Sequence, residues 1–131
     1  MLAKCAAASM PYSVLVVDQH PVVLATWVPP LLDAGYEVTA TTSFEEARHH
    51  LAARPPNLLI AASRLRGFNG MHLVMCAHVN RPGMSAIVTT PARDPILEAE
   101  ASVFGASCVV APESRAELLA VVARAFSSRP M

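Results

Sequence analysis

Five short, strongly apolar runs alternate along this chain with five segments of helical pattern, and few folds accommodate that order. The runs cover residues 13–18, 37–41, 57–62, 85–90 and 107–110. The first holds Val14, Leu15, Val16 and Val17 with no polar interruption, as expected of a central strand covered on both faces. The helices are predicted from their ends. Pro21 opens the first, which runs to about Ala34 and stops at Gly35. Ser43 and Glu46 form a capping box for the second, which Pro55 and Pro56 end. Asn69 caps the third. Asp94 followed by Pro95 starts the fourth, which ends at Gly105. Ser114 and Glu117 make a second capping box for a last helix that ends near Phe126. Pro29 and Pro30 fall inside the first helix. An interior proline lacks its N–H and clashes with the preceding turn, at about 3 kcal/mol, so a kink or break is predicted near Val28.

Strand–helix alternation builds parallel βαβ units with helices on both faces of one sheet. The expected architecture is a flavodoxin-like (βα)5 doubly wound sheet of strand order 2-1-3-4-5. Sites in such sheets lie outside the carboxyl ends of the strands. Here those ends carry Asp18, Ala62, Thr90 and Ala111. At 131 residues the chain fits one domain, expected over residues 12–127, with a disordered lead-in over 1–11 and a frayed tail over 128–131.

Composition excludes several classes. With 53% apolar and 15% charged residues the domain is too hydrophobic for disorder. Its apolar runs are strand-length, far short of the ~20 residues of a membrane span. A net charge of zero gives no electrostatic draw toward nucleic acid. Cys5, Cys76 and Cys108 form an odd, scattered set that fits free thiols in a reducing compartment, hence the cytoplasm. His49 and His50 are adjacent and share no helix face, with no metal-spaced partner. No metal site and no cofactor is expected. Asp18-Gln19-His20 matches the start of a cobalamin signature, but Val23 stands where its glycine belongs.

Six segments in order carry a resemblance. They are VLVVDQHP at 14–21, AGYEV at 34–38, PNLLIAA at 56–62, RLRGFNG at 64–70, IVTT at 87–90 and GASCVVAP at 105–112. Together they resemble the receiver domains of bacterial response regulators (CheY-like) over residues 12 to about 126. The resemblance implies phosphoryl transfer to an aspartate on the third strand. An acidic pair on the first strand would help hold Mg²⁺, a lysine would pair with the phosphate, and a hydroxyl on the fourth strand would report it. On this chain the acidic pair is Asp18 and Gln19, the acceptor place is Ala62, the hydroxyl is Thr90, and the lysine place is Ala111. The only lysine is Lys4. Ser63, beside the acceptor place, should point elsewhere because side chains alternate along a strand.

A degenerate pseudo-receiver is therefore expected, not an enzyme. It would act in two-component phosphorelay signalling as a phosphorylation-independent interaction module. Partners would be a kinase, another regulator or a second copy in a weak dimer, with neither nucleic acid nor membrane involved. The alternatives are a true phosphoacceptor using a non-standard residue, or a flavodoxin-like small-ligand-binding domain. Two apolar stripes are candidate interfaces: Leu118, Val121 and Ala125 on the last helix, with Leu119, Val122 and Phe126 turned to the sheet, and Leu24, Val28 and Leu32 on the first.

Overall fold

A computed structural model of the chain describes residues 12–65 and 67–127. The expected lead-in and tail lie outside the described residues. The elements are β1 (Ser13–Val17), α1 (Pro21–Asp33), β2 (Glu37–Thr41), α2 (Phe44–Ala53), β3 (Leu58–Ala62), α3 (Gly70–Asn80), β4 (Ser85–Thr90), α4 (Pro95–Val103), β5 (Ser107–Val110) and α5 (Arg115–Ser127). A small antiparallel hairpin, Arg64–Leu65 with Phe68–Asn69, joins β3 to α3. The five strands form one parallel sheet in the order β2-β1-β3-β4-β5. This is the flavodoxin-like order 2-1-3-4-5.

Strand alternation divides the core into two layers. Leu15, Val17, Leu59, Ala61, Ala86 and Val88 face α2, α3 and α4. Val14, Val16, Leu58, Ile60 and Ile87 face α1 and α5, where Trp27, Leu31, Leu118 and Val122 meet them. The helix starts follow the sequence. Ser43 Oγ accepts from Glu46 N at 3.2 Å, Asn69 Oδ1 from Met71 N at 2.8 Å, Asp94 Oδ1 from Leu97 N at 3.1 Å, and Ser114 Oγ from Glu117 N at 3.1 Å. The first box is not reciprocal. Glu46 Oε1 instead accepts from the Thr41 hydroxyl at 2.7 Å, and that hydroxyl accepts from Ser43 N at 3.0 Å. At the amino ends of the strands, Ser13 and Asn57 clasp each other. Ser13 N donates to Asn57 Oδ1 at 2.8 Å, and Asn57 N donates to Ser13 O at 2.9 Å.

Two expectations are corrected. Of the kink or break expected near Val28, the break does not occur: α1 is one continuous helix from Pro21 to Asp33 with Pro29 and Pro30 inside it. Its C-terminal half is held from outside, because Trp27, Pro30 and Leu31 are all buried. Leu118 is not an outward interface residue. It is only 2% exposed and belongs to the core between α5 and the sheet. Leu118 and Val122, four apart, point inward. Val121 and Ala125 flank them, half-buried against the same layer, as do Leu119 and Phe126. Val122 faces the sheet as expected, but Leu118 takes the place expected of Leu119 and lies in the same core layer as Trp27 and Leu31 of α1. Phe126 stacks between Tyr12 and Tyr36, at centroid distances of 4.6 and 5.6 Å.

A buried leucine truncated to alanine loses transfer energy and leaves a cavity. Leu118→Ala should therefore cost about 2–5 kcal/mol of unfolding free energy, whereas Leu32→Ala on exposed α1 surface should stay within about 0.5 kcal/mol. Urea unfolding of the two variants measures both.

Candidate functional site

The carboxyl ends of the strands are tied to one another beyond their last paired residues. Asp18 N donates to Thr41 O at 3.3 Å, Ser63 N to Thr89 O at 2.8 Å, and Ala111 N to Thr90 O at 2.8 Å. Between these ends opens a cavity of about 390 Å³, and all five residues singled out in the sequence line it: Asp18, Gln19, Ala62, Thr90 and Ala111.

Asp18 is only 6% exposed. Its Oδ1 accepts from His20 N at 2.9 Å, which turns the chain from β1 into α1, whose N-cap is His20. The neighbouring Gln19 amide lies 3.3 Å from the His20 ring through Nε2 of each. Thr90 is buried, and its hydroxyl donates to Ala92 O at 2.7 Å, fixing the turn after β4. Ala62 and Ala111 contribute methyl groups. Asp18 is the one carboxylate in this lining. Among the described residues no group of three or more His, Cys, Asp or Glu could hold a metal ion.

Ser63 differs from its expected placement, because it lines the same cavity. The strand ends at Ala62, so alternation no longer governs the next residue. Its hydroxyl is not activated. No hydrogen bond joins it to His20, and Asp18 meets His20 through the backbone rather than the ring.

Two features beside the cavity escape sequence reasoning. Gly70 N donates to Ser63 O at 2.9 Å, and a Cβ at position 70 would fall on the Ala62 carbonyl. Gly70 opens α3, and glycine there is demanded by the close approach of the Ala62 backbone. Phe68, at the hairpin, stacks on Phe44 of α2 with centroids 4.3 Å apart and planes 9° from parallel. This pair borders a second cavity of about 400 Å³ that also touches Gln19, Pro21 and Leu65. An aromatic residue in a polar loop was the available signal for it.

The candidate interface residues scatter in exposure. On α1, Leu24 and Val28 are half-buried, while Leu32 is 51% and Val22 76% exposed. The free thiols Cys76 and Cys108 are half-buried. Burial, with help from the Glu98 and Asp94 carboxylates, pushes the Cys108 thiol up, which keeps it a neutral filler of the α4–β5 layer. Among the described residues no helix is long and apolar enough to cross a membrane.

Gly70→Ala forces its methyl against a backbone carbonyl that cannot rotate away. A loss of about 1–3 kcal/mol in stability is expected, as for overpacking, with amide chemical-shift changes concentrated at residues 62–70. Wild-type stability in this variant would show that the loop yields.

A family model described as the response regulator receiver domain matches residues 14–123. Solved structures agree on the fold. A CheY-like receiver domain protein from Methanospirillum hungatei JF-1 superposes with a TM-score of 0.82 at 24% identity, covering 90% of this chain and 95% of that one. The chemotaxis response regulator CheY4 of Vibrio cholerae gives 0.80 at 22% identity, covering 88% and 99%. NtrX from Brucella abortus, a longer chain, gives 0.80 at 21% identity, covering 91% of this chain and 28% of that one. No curated protein sequence matches the chain.

Proposed function

The chain belongs to the response regulator receiver domain family of signalling modules, and from that premise we propose that it signals by binding protein partners without being phosphorylated. One observation carries the proposal: the wall of the strand-end cavity at the acceptor place is the methyl group of Ala62. A methyl carbon has no lone pair with which to attack phosphorus. The rest of the lining supports this. Mg²⁺ needs several oxygen ligands in near-octahedral array. Asp18 offers one carboxylate already engaged by His20 N, and the Gln19 amide sits against the His20 ring. These residues do not fit the ion, and Ala111 supplies no cation for a phosphate. The Thr90 hydroxyl is spent on Ala92 O.

The competing reading is a phosphoacceptor using another residue, and Ser63 is the group near enough to be considered. It lacks a base within hydrogen-bonding reach, so no observation favours it over the first. Incubation with acetyl phosphate and Mg²⁺, read by intact mass, decides between them. No adduct is expected on the wild type. None is expected on Ala62→Asp either, because the missing metal carboxylate and lysine act with the acceptor as a unit. Stoichiometric labelling of the wild type overturns the proposal, and labelling of Ala62→Asp shows that the remaining pocket groups suffice once an acceptor is restored.

For the partner surface, α1 replaces α5 as first candidate. Residues 22–32 carry no charge, and Val22 and Leu32 are exposed on it, whereas α5 turns Leu118 into the core. Burying one such side chain at an interface contributes about 1.5–3 kcal/mol. The partner class is a kinase or a further regulator in the cytoplasm, with weak self-association as the lesser possibility because association costs several kcal/mol of lost freedom. Val22→Glu with Leu32→Glu should abolish partner capture from the native cell while leaving the fold intact by circular dichroism. Undiminished capture moves the interface elsewhere.

A further inference from the structure

The Asp18 carboxylate, in the wall of the strand-end cavity, makes no ion pair among the described residues. Asp18 is 6% exposed, and its Oδ1 is taken by His20 N. Its second oxygen, Oδ2, meets no donor or cation among the described residues; the ion pairs there join Arg48 to Glu45, Arg93 to Glu98 and Arg115 to Asp33. Among the described residues no sealed side-chain oxygen or nitrogen lacks a partner, so Oδ2 keeps contact with solvent, and Asp18 lines the cavity. Exposed Arg64 lines the same cavity and makes no ion pair with Asp18.

The remaining walls say what kind of cation fits. Val23, Ala62, Pro91 and Ala111 are apolar, and they share the lining with Gln19, His20, Ser63, Arg64, Thr89 and Thr90. A bare metal ion would find one carboxylate oxygen and little else to replace its water. An alkylammonium can place its N–H donors on Oδ2 and its hydrocarbon on the alanine, valine and proline walls. A cavity of about 390 Å³ lies at the small end of ligand pockets. We infer that this cavity is a binding site for an organic primary ammonium, supplied by a free small amine or by a lysine side chain of a partner, with Asp18 as its counter-ion. The inference goes beyond partner binding through α1 and does not depend on it.

The test is an amide chemical-shift titration of the full chain with n-butylammonium chloride, beside n-butanol, sodium chloride and magnesium chloride at matched concentration. Saturable shifts at Asp18, Ala62, Thr90 and Ala111 are expected with the ammonium alone. Asp18→Asn keeps an oxygen for His20 N but loses the charge, and should weaken binding about tenfold or more, as for a lost charge-assisted hydrogen bond. Ala111→Lys supplies the ammonium from within and should abolish the response. Acetyl-Gly-Lys-Gly-amide separates the sources: binding as good as butylammonium assigns the site to a protein lysine, and weaker binding assigns it to a free amine. Equal shifts with butanol, the same shifts with sodium or magnesium, or unchanged binding by Asp18→Asn overturns the inference. These outcomes leave the acetyl phosphate and α1 experiments untouched.

Discussion

Everything in this domain depends on burying a parallel sheet on both faces. Val14 to Val17 on β1 and Leu58 to Ala61 on β3 are sealed without exception, so helices must cover each side. Period-two alternation then assigns odd-numbered β1 and β3 residues to α2, α3 and α4 and even-numbered ones to α1 and α5. Parallel pairing also puts all strand exits on one edge. That edge is where Asp18, Ala62, Thr90 and Ala111 meet, although they lie up to 93 positions apart in the chain.

Sheet order, helix starts and the grouping of the pocket were legible in the sequence because each rests on local chemistry. Caps such as Ser43, Asn69, Asp94 and Ser114 act within three residues of themselves, and continuous valine runs need no partner to reveal a buried strand. What was illegible depends on partners. On α5, apolar residues surround most of the helix, so the faces led by Leu118 and by Leu119 are nearly equal by pattern. The face that is buried is the one that shares a core layer with Trp27 and Leu31 of α1. The prolines of α1 show the same limit. Their local cost is real, but Pro30 and its neighbours are buried, and tertiary packing outweighs helix propensity. Ser63 was misplaced because alternation was carried one residue past the end of β3.

The cavity is electrostatically quiet compared with the one that the receiver family's chemistry requires. Several carboxylates gathered around a metal repel each other whenever the metal is absent. Here Asp18 is the one carboxylate in the lining, so that mutual repulsion has no second member. The Thr90 hydroxyl, bonded to Ala92 O, serves the turn after β4. The strand-end loops are thus arranged by hydrogen bonds internal to the protein. The Phe44–Phe68 stack adds an apolar fastening of the hairpin to α2.

The clasp between Ser13 and Asn57 bears on the order in which the molecule can assemble. It joins residues 44 positions apart, and the chain between them contains β1, α1, β2 and α2. Loop closure on this scale is an entropic toll that grows only logarithmically, by about 0.6 kcal/mol for each doubling of length. That toll is met before any β1–β3 pairing returns energy. Once it is met, Asn57 O is in place to accept from Ser85 N at 3.3 Å, and the Ser85 hydroxyl reaches Ala125 O at 3.3 Å. A relay of hydrogen bonds thus runs from β1 through Asn57 to β4 and on to α5.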